Sequence, residues 1–227
     1  MADAKNIVIT GGSRGLGKAL AIDLSAKGHK VVILSSDEDK LKDASIDAKC
    51  TYKVCDISDW SQVEKTVKAM EKELGSINVL INNAGLYSAG KIEDTSPDDI
   101  QRMFDVNVVG TLFMTKAVVP GMKQKSDGYI ININSQAGFY TKSERVLYTG
   151  GKWALTGITK VLQTELASSN IKVTGLYPGA MEQSMAAKSG PQANSIKYQE
   201  MIDGVDFVLS RGPNTVVPEL GIKDLDN

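Results

Sequence analysis

Tyr148 and Lys152 stand four residues apart, and Ser135 lies thirteen residues before the tyrosine. On a helix, residues four apart share a face, one turn from each other. An ammonium beside a phenol favours the phenolate and draws its pKa down from about 10 towards working pH. A tyrosine tuned in this way serves as a general acid or base. Ser135 follows the run Tyr129-Ile130-Ile131-Asn132-Ile133-Asn134, which reads as a strand. A hydroxyl at the end of such a strand is placed to face a ligand. Tyr-x-x-x-Lys also occurs in helices without chemistry, so the elements that position these residues decide its meaning.

Other chemistries have little material. His29 is the only histidine, in the turn-like stretch Ala26-Lys27-Gly28-His29-Lys30, and reads as a surface residue. Cys50 and Cys55 are the only cysteines and lack Cys-x-x-Cys spacing, so they read as reduced packing residues of a cytoplasmic protein. No metal site is expected. There is no Gly-x-Ser-x-Gly, which argues against a serine hydrolase. The 227 residues are 42% hydrophobic and carry a formal net charge of −1, as suits one soluble domain with no electrostatic case for nucleic acid or an anionic membrane. No apolar run is expected to approach the ~18 residues of a membrane span. Met1 to Lys5 leads straight into a strand, so no signal peptide is expected.

The positioning elements alternate. Strands are predicted at 5–10, 31–34, 51–55, 77–81, 129–134, 171–177 and 216–220. Helices are predicted from Leu16 to a stop at Gly28, over 37–44, from Ser58 or Asp59 to Gly75, from Ser96 to about Met122, over 147–167 and over 195–209. Leu16, Leu20 and Leu24 recur at helical spacing, as do Val63, Val67, Met70 and Leu74. Ser96-Pro97-Asp98-Asp99 combines a cap, a first-position proline and first-turn acids. Continuously apolar strands between helices indicate a parallel sheet covered on both faces. With no linker or repeat, residues 1–227 read as a single domain.

The first strand ends in Gly11-Gly12-Ser13-Arg14-Gly15-Leu16-Gly17. A glycine turn between strand and helix brings backbone N–H groups up to an anion. The spacing Gly-x-x-x-Gly-x-Gly is not that of a P-loop. Nucleotide binding is the expectation, against a glycine turn that only aids packing.

Together these segments resemble the short-chain dehydrogenase/reductase family across nearly the whole chain. Thr10-Gly11-x-x-x-Gly15-x-Gly17, Asp56 after strand three, Asn82-Asn83-Ala84-Gly85 after strand four, Asn107, Ser135 with Tyr148-x-x-x-Lys152, and Pro178-Gly179 occur in the family's order. The resemblance implies an α/β Rossmann-type, doubly wound parallel sheet of seven strands in one domain. It also implies a nicotinamide coenzyme and hydride exchange with a small carbonyl/alcohol substrate. Tyr148 would protonate the alkoxide, and Lys152 would tune Tyr148 and bond the ribose. Ser135 would bond the carbonyl oxygen, and Asn107 would hold a relay water. The implied coenzyme set is Gly11, Ser13, Arg14, Gly15, Leu16 and Gly17; Ser35 and Ser36; Asp56 and Ile57; Asn83, Ala84 and Gly85; Tyr148 and Lys152; and Pro178, Gly179 and Met181. Family members are commonly homodimers or homotetramers. A catalytically silent NADP-binding sensor or scaffold is the alternative, against which all four catalytic positions are intact. A sugar-nucleotide epimerase or dehydratase relative is disfavoured because those chains are usually longer, with a substrate domain not expected in these 227 residues.

For the coenzyme, counting twenty residues from Gly17 reaches Asp37 and suggests NAD. The end of strand two instead offers Ser35 and Ser36, with Asp37 as a helix cap, and Arg14 suits a 2′-phosphate. NADP (NADPH) is therefore expected over NAD. The substrate pocket is expected from Leu86 to Thr95, Gln136 to Tyr140 and Met181 to Lys197, with 181–200 as a substrate loop or lid. Gln183, or Ser184 in its place, falls where a family threonine contacts the carboxamide. Gly150 and Gly151, between Tyr148 and Lys152, imply close packing or a loosened helix start.

Overall fold

The computed structural model describes residues 4–182 and 195–225. Seven strands form one parallel sheet: β1 Asn6–Thr10, β2 Lys30–Ser35, β3 Thr51–Val54, β4 Val79–Asn82, β5 Gly128–Ile133, β6 Ile171–Pro178 and β7 Glu219–Ile222. Their order is β3-β2-β1-β4-β5-β6-β7. The helices are α1 Gly15–Ala26, α2 Glu38–Ala48, α3 Trp60–Leu74, α4 Pro97–Phe104, α5 Thr111–Lys125, α6 Val146–Ala167 and α7 Tyr198–Leu209.

Two apolar layers sandwich the sheet, as its uniformly apolar strands require. Ile7 and Ile9 point into the layer shared with α1, α2 and α7. Val8 points the other way, into the layer built with α3 and α5. Chain order reverses between β1 and β4, which pair from Ile7 opposite Val79 to Ile9 opposite Ile81. Ligands of such sheets bind beyond the strand C-termini at that switch point.

Local chemistry sets the helix boundaries. Asp37 caps α2 by accepting the Lys40 N–H, Asp59 caps α3 by accepting those of Ser61 and Gln62, and Ser96 caps α4 by accepting that of Asp99. Gly75 closes α3 at φ +80°, a left-handed conformation that suits glycine.

Several expected boundaries shift. The last strand lies at Glu219–Ile222 rather than 216–220, because register with Gly175–Pro178 on β6 chooses it. The final helix starts at Tyr198, where Glu200 accepts the Lys197 N–H and Glu182 accepts the Tyr198 N–H. β4 starts at Val79, because Asn78 uses its side chain to hold the Asn6 N–H. The helix expected from Ser96 to Met122 is interrupted by a π-helical turn, Asp105–Gly110. Amphipathic spacing cannot register one inserted residue.

That rod, Pro97–Lys125, is also long and apolar enough to cross a membrane, by length and composition alone. This corrects the expectation that no stretch comes near a span. Val106, Met114, Val118 and Met122 bury it in the second apolar layer, so it is a core helix. His29 is half-buried rather than a plain surface residue, its Nδ1 accepting the Lys5 N–H.

Candidate active site

A cavity of about 1060 Å³ runs over the C-terminal ends of the strands, from the glycine loop to Tyr148. Thr10 ties its floor together, because its hydroxyl accepts the N–H groups of Asn83 and Ala84, each at 3.0 Å. Asn83 returns two bonds to the carbonyls of Thr10 and Gly11. The Thr-Gly and Asn-Asn-Ala-Gly segments are thus one unit across the switch point.

Two of the loop glycines are there for backbone reasons. Gly11 has φ +64°, and a methyl added to it would lie 2.8 Å from Ala84 Cα. A methyl on Gly17 would lie 2.4 Å from the Gly11 carbonyl oxygen, so loop and helix could not close. Gly17 does not line the cavity and acts through packing, unlike Gly11, Ser13, Arg14, Gly15 and Leu16, which do line it. Arg14 precedes α1 with no side-chain cap, and no acid stands in the first turn. The free N–H groups of that helix start, the approach allowed by glycine and the guanidinium fit the diphosphate of a dinucleotide.

At the far end of β2, Ser13 donates a hydrogen bond to Ser35, 3.3 Å away. Asp37 is committed elsewhere: besides capping α2 it is paired with Lys40, whose hydrogen bond holds its carboxyl below the ordinary value. Strand geometry, not the residue count, therefore decides which side chains stand free at the end of β2. Lys40 also lines the cavity and was not singled out in the sequence. Its only signal was a basic residue in the first turn after β2. Asp56 lines the cavity beside Ile57 and accepts both the N–H and the hydroxyl of Ser58, which fixes the turn after β3.

Ser135, Tyr148 and Lys152 converge at the other end of the cavity. Ser135 is extended and accepts the Ala137 N–H, an arrangement that starts a 3₁₀ turn. Tyr148 and Lys152 stand one turn apart on α6, as their spacing demands. Lys152 is buried and donates to the Ile133 carbonyl at 2.9 Å. Burial pulls its pKa down to about 8. The expected lowering of the tyrosine pKa by this lysine is not found in the coenzyme-free protein. Burial raises the Tyr148 pKa above its ordinary value, and the Ser135 hydrogen bond and the Arg145 charge only partly oppose it. The lysine is turned to a carbonyl, with Nζ 5.8 Å from the phenol ring centroid.

Asn107 lies behind the cavity wall rather than on it. It sits in the π turn, 2% exposed, with its carboxamide exchanging hydrogen bonds with the Leu86 N–H and carbonyl. Its own carbonyl accepts the Thr111 hydroxyl at 3.3 Å. π turns inside α-helices recur at functional sites because they re-aim backbone groups. Asn107 also packs beside Gly151: a methyl added there would lie 3.7 Å from Asn107 Cβ, and one on Gly150 would lie 3.5 Å from Phe104. Both are ordinary contacts, so close packing does not require either glycine.

Polar residues that pattern alone could not identify support the site. Asn82 and Asn132, paired in register, share a hydrogen bond that extends to Thr115 and Thr159. Asn134 donates to Thr156. These buried amides lock β4, β5 and α6 together beneath Ser135, Tyr148 and Lys152.

Of the expected pocket, Leu86 and Tyr87 line the cavity, but residues 88–95 do not. From 136–140, Gln136, Ala137 and Tyr140 line it, and Thr141 and Lys142 join them. Phe139 instead stacks on Tyr177 at 4.1 Å. Asn83, Ala84, Gly85, Pro178, Gly179 and Met181 line it as expected, and Ser36 does too. Gln183 to Lys188, the centre of the expected lid, lie outside the described residues. Arg145 was missed: its guanidinium lies 5.7 Å from the centroid of the Tyr87 ring, and that ring meets Tyr148 edge-on at 4.9 Å. Among the described residues no group of three or more His, Cys, Asp or Glu side chains could hold a metal ion.

Known proteins are similar to this chain in sequence and in fold. An uncharacterised oxidoreductase of Staphylococcus aureus (strain MRSA252) is 32% identical over 223 residues, covering 96% of each chain. A metagenomic short-chain oxidoreductase, solved in complex with NADP, superposes with a TM-score of 0.86 at 25% identity, covering 97% of this chain and 96% of that one. ElxO, solved with NADP bound, gives a TM-score of 0.86 at 27% identity, covering 97% and 98%. Residues 5–194 match the family described as short chain dehydrogenase. With the glycine turn, the β1–β4 crevice and the Ser-Tyr-Lys convergence in one cavity, the chain belongs to the short-chain dehydrogenase/reductase family.

Proposed function

We propose that the protein is an NADP(H)-dependent reductase that exchanges a hydride between the nicotinamide and a small or medium carbonyl/alcohol substrate. The observation that carries this reading is the single cavity joining the uncapped start of α1 to Ser135, Tyr148 and Lys152. The α1 start, Asn83-Ala84-Gly85 and Pro178-Gly179 would hold the coenzyme along the crevice, and the bound coenzyme supplies the hydride.

The protein's own groups do the rest. The Ser135 hydroxyl donates to the carbonyl oxygen and orients it. The Tyr148 phenol gives its proton to that oxygen as negative charge builds there, and fixed donors converge where the charge appears. The raised phenol pKa keeps this proton in place before reaction. Lys152, released from the Ile133 carbonyl, would turn to the ribose and stabilise the phenolate left behind. Asn107, through the carbonyl of its π turn, would hold the water that reprotonates Lys152.

NADP is favoured over NAD because Arg14, Lys40, Ser13 and Ser35 gather at the end of β2 while Asp37 is spent on capping. The NADP-bound relatives agree with it. Trp153 and Val161 are exposed on α6, with Gly157 exposed between them, which suits a helix-packed homodimer or homotetramer. Cys50 and Cys55 are both free thiols, in keeping with a cytoplasmic setting.

The test follows NADPH and NADH oxidation spectroscopically across ketones, aldehydes, β-keto acyl thioesters and keto acids. Tyr148→Phe should lower kcat/KM by about 100- to 10,000-fold, the range of general acid catalysis, with coenzyme binding retained. Activity that survives the substitution would sink the mechanism. NADH matching NADPH in kcat/KM would overturn the coenzyme assignment. NADPH binding without turnover of any substrate would favour the sensor.

A further inference from the structure

The cavity is more cationic than the protein around it. The chain carries a formal net charge of −1. Among the described residues the cavity lining offers three acids, and all are engaged. Asp37 pairs with Lys40, Asp56 holds Ser58, and Glu182 accepts the Tyr198 N–H. Two of the cations are different. Arg145 and Lys142 line the same space, and neither takes part in any ion pair among the described residues. Glu144 precedes Arg145 but does not line the cavity.

Arg145 is placed to meet a substrate. It is half-buried at the residue before α6, so three positions separate it from the proton donor Tyr148. Its guanidinium lies 5.7 Å from the Tyr87 ring centroid, and that ring contacts Tyr148. The charge is near enough to act on the phenol. One residue beyond Tyr148, Thr149 also lines the cavity, and its hydroxyl is buried with no hydrogen-bond partner. A buried hydroxyl without a partner carries a cost that a bound acceptor would remove. No side chain caps α6. A fork of guanidinium donors, an unused hydroxyl and a second cation match a planar carboxylate.

We propose that the substrate is a short oxo acid and that Arg145 binds its carboxylate while the oxo group meets Ser135 and Tyr148. This rests on the reductase reading above, of which it names the substrate class. It makes Arg145 the residue that selects for charge, with Thr149 as the second donor and Lys142 as a steering charge.

Matched pairs test it: acetoacetate against methyl acetoacetate, and pyruvate against methyl pyruvate, with saturating NADPH. The wild type should prefer each acid to its ester, and added salt should erode that preference. Arg145→Gln should cut the acid-to-ester ratio of kcat/KM by about 10- to 100-fold, the worth of a charge-assisted hydrogen bond. Arg145→Lys should restore part of it, because it keeps the charge but not the fork. Esters used as well as acids by the wild type, or a ratio unmoved by Arg145→Gln, would overturn the proposal. Calorimetric titration of acetoacetate into the NADPH complex separates the two readings. Binding that Arg145→Gln abolishes, without turnover of any carbonyl, would support the anion site while overturning the reductase. Turnover of neutral ketones without acetoacetate binding would do the reverse.

Discussion

Five helix starts of this molecule fall into two groups. α2, α3 and α4 begin on Asp37, Asp59 and Ser96, each of which accepts the N–H groups of its own first turn. α1 and α6 begin after Arg14 and Arg145, with no side-chain cap and no first-turn acid. Both of these arginines line the cavity. A capped start has satisfied its free donors internally and is a structural element only. An uncapped start that faces a cleft beside a guanidinium keeps its donors for something else. The two ends of one cavity thus use the same physical device. At α1 it suits a dinucleotide diphosphate, and at α6 it stands beside Tyr148.

The contrast can be broken experimentally. The largest effect is expected from Lys152, the buried cation of the uncapped α6. Its folded pKa of about 8 lies below the unfolded value near 10.5, so between these limits the unfolded chain binds more protons and stability rises with pH. The gain should reach about 3 kcal/mol over the window and be absent below it. Urea unfolding of the coenzyme-free protein at pH 7 to about pH 10 should therefore favour wild type over Lys152→Met progressively. A flat difference would place the lysine in solvent.

Arg14→Asp turns a cleft start into a capped one. NADPH affinity should fall about 10- to 100-fold, while the free protein gains about 0.5–1 kcal/mol. Coenzyme fluorescence and thermal melts read the two effects separately. Loss of both would mean that Arg14 serves the fold rather than the ligand. At a capped start the expectation reverses. Ser96→Ala should cost about 1 kcal/mol in urea unfolding and leave NADPH affinity unchanged. A shift in coenzyme affinity would show that the two groups are not independent. The smallest effects are expected at Gly150 and Gly151. Replacing either with Ala should stabilise the helix by up to about 1 kcal/mol, because a methyl there meets only ordinary contacts. Destabilisation together with weaker coenzyme binding would show that the bound state needs the space.

Much of this was legible before any coordinates. Leu16, Leu20 and Leu24 are buried, as their period requires, and Val63, Val67 and Met70 are too. Asp37 was readable as a cap because an acid before a helical stretch has a local reason to be there. Lys40 and Arg145 were not readable as site residues. A lone basic residue in a loop or first turn carries no period and no spacing partner. The π turn at Asn107 was equally hidden, because its geometry depends on how α4, α5 and Leu86 meet.

What the sequence determined by itself is what local pattern encodes: the alternation of strand and helix, the glycine turn after β1, and the Tyr148–Lys152 pair on one helix face. Spacing of 3.6 residues per turn and the conformational freedom of glycine are enough for these. Tertiary structure decided the rest. It turned Lys152 to the Ile133 carbonyl, let burial outweigh charge at Tyr148, moved Asn107 behind the wall, and set Arg145 free beside Tyr87. These depend on which surfaces exclude water and which distant groups meet, and desolvation and long-range contact have no signature in the order of residues.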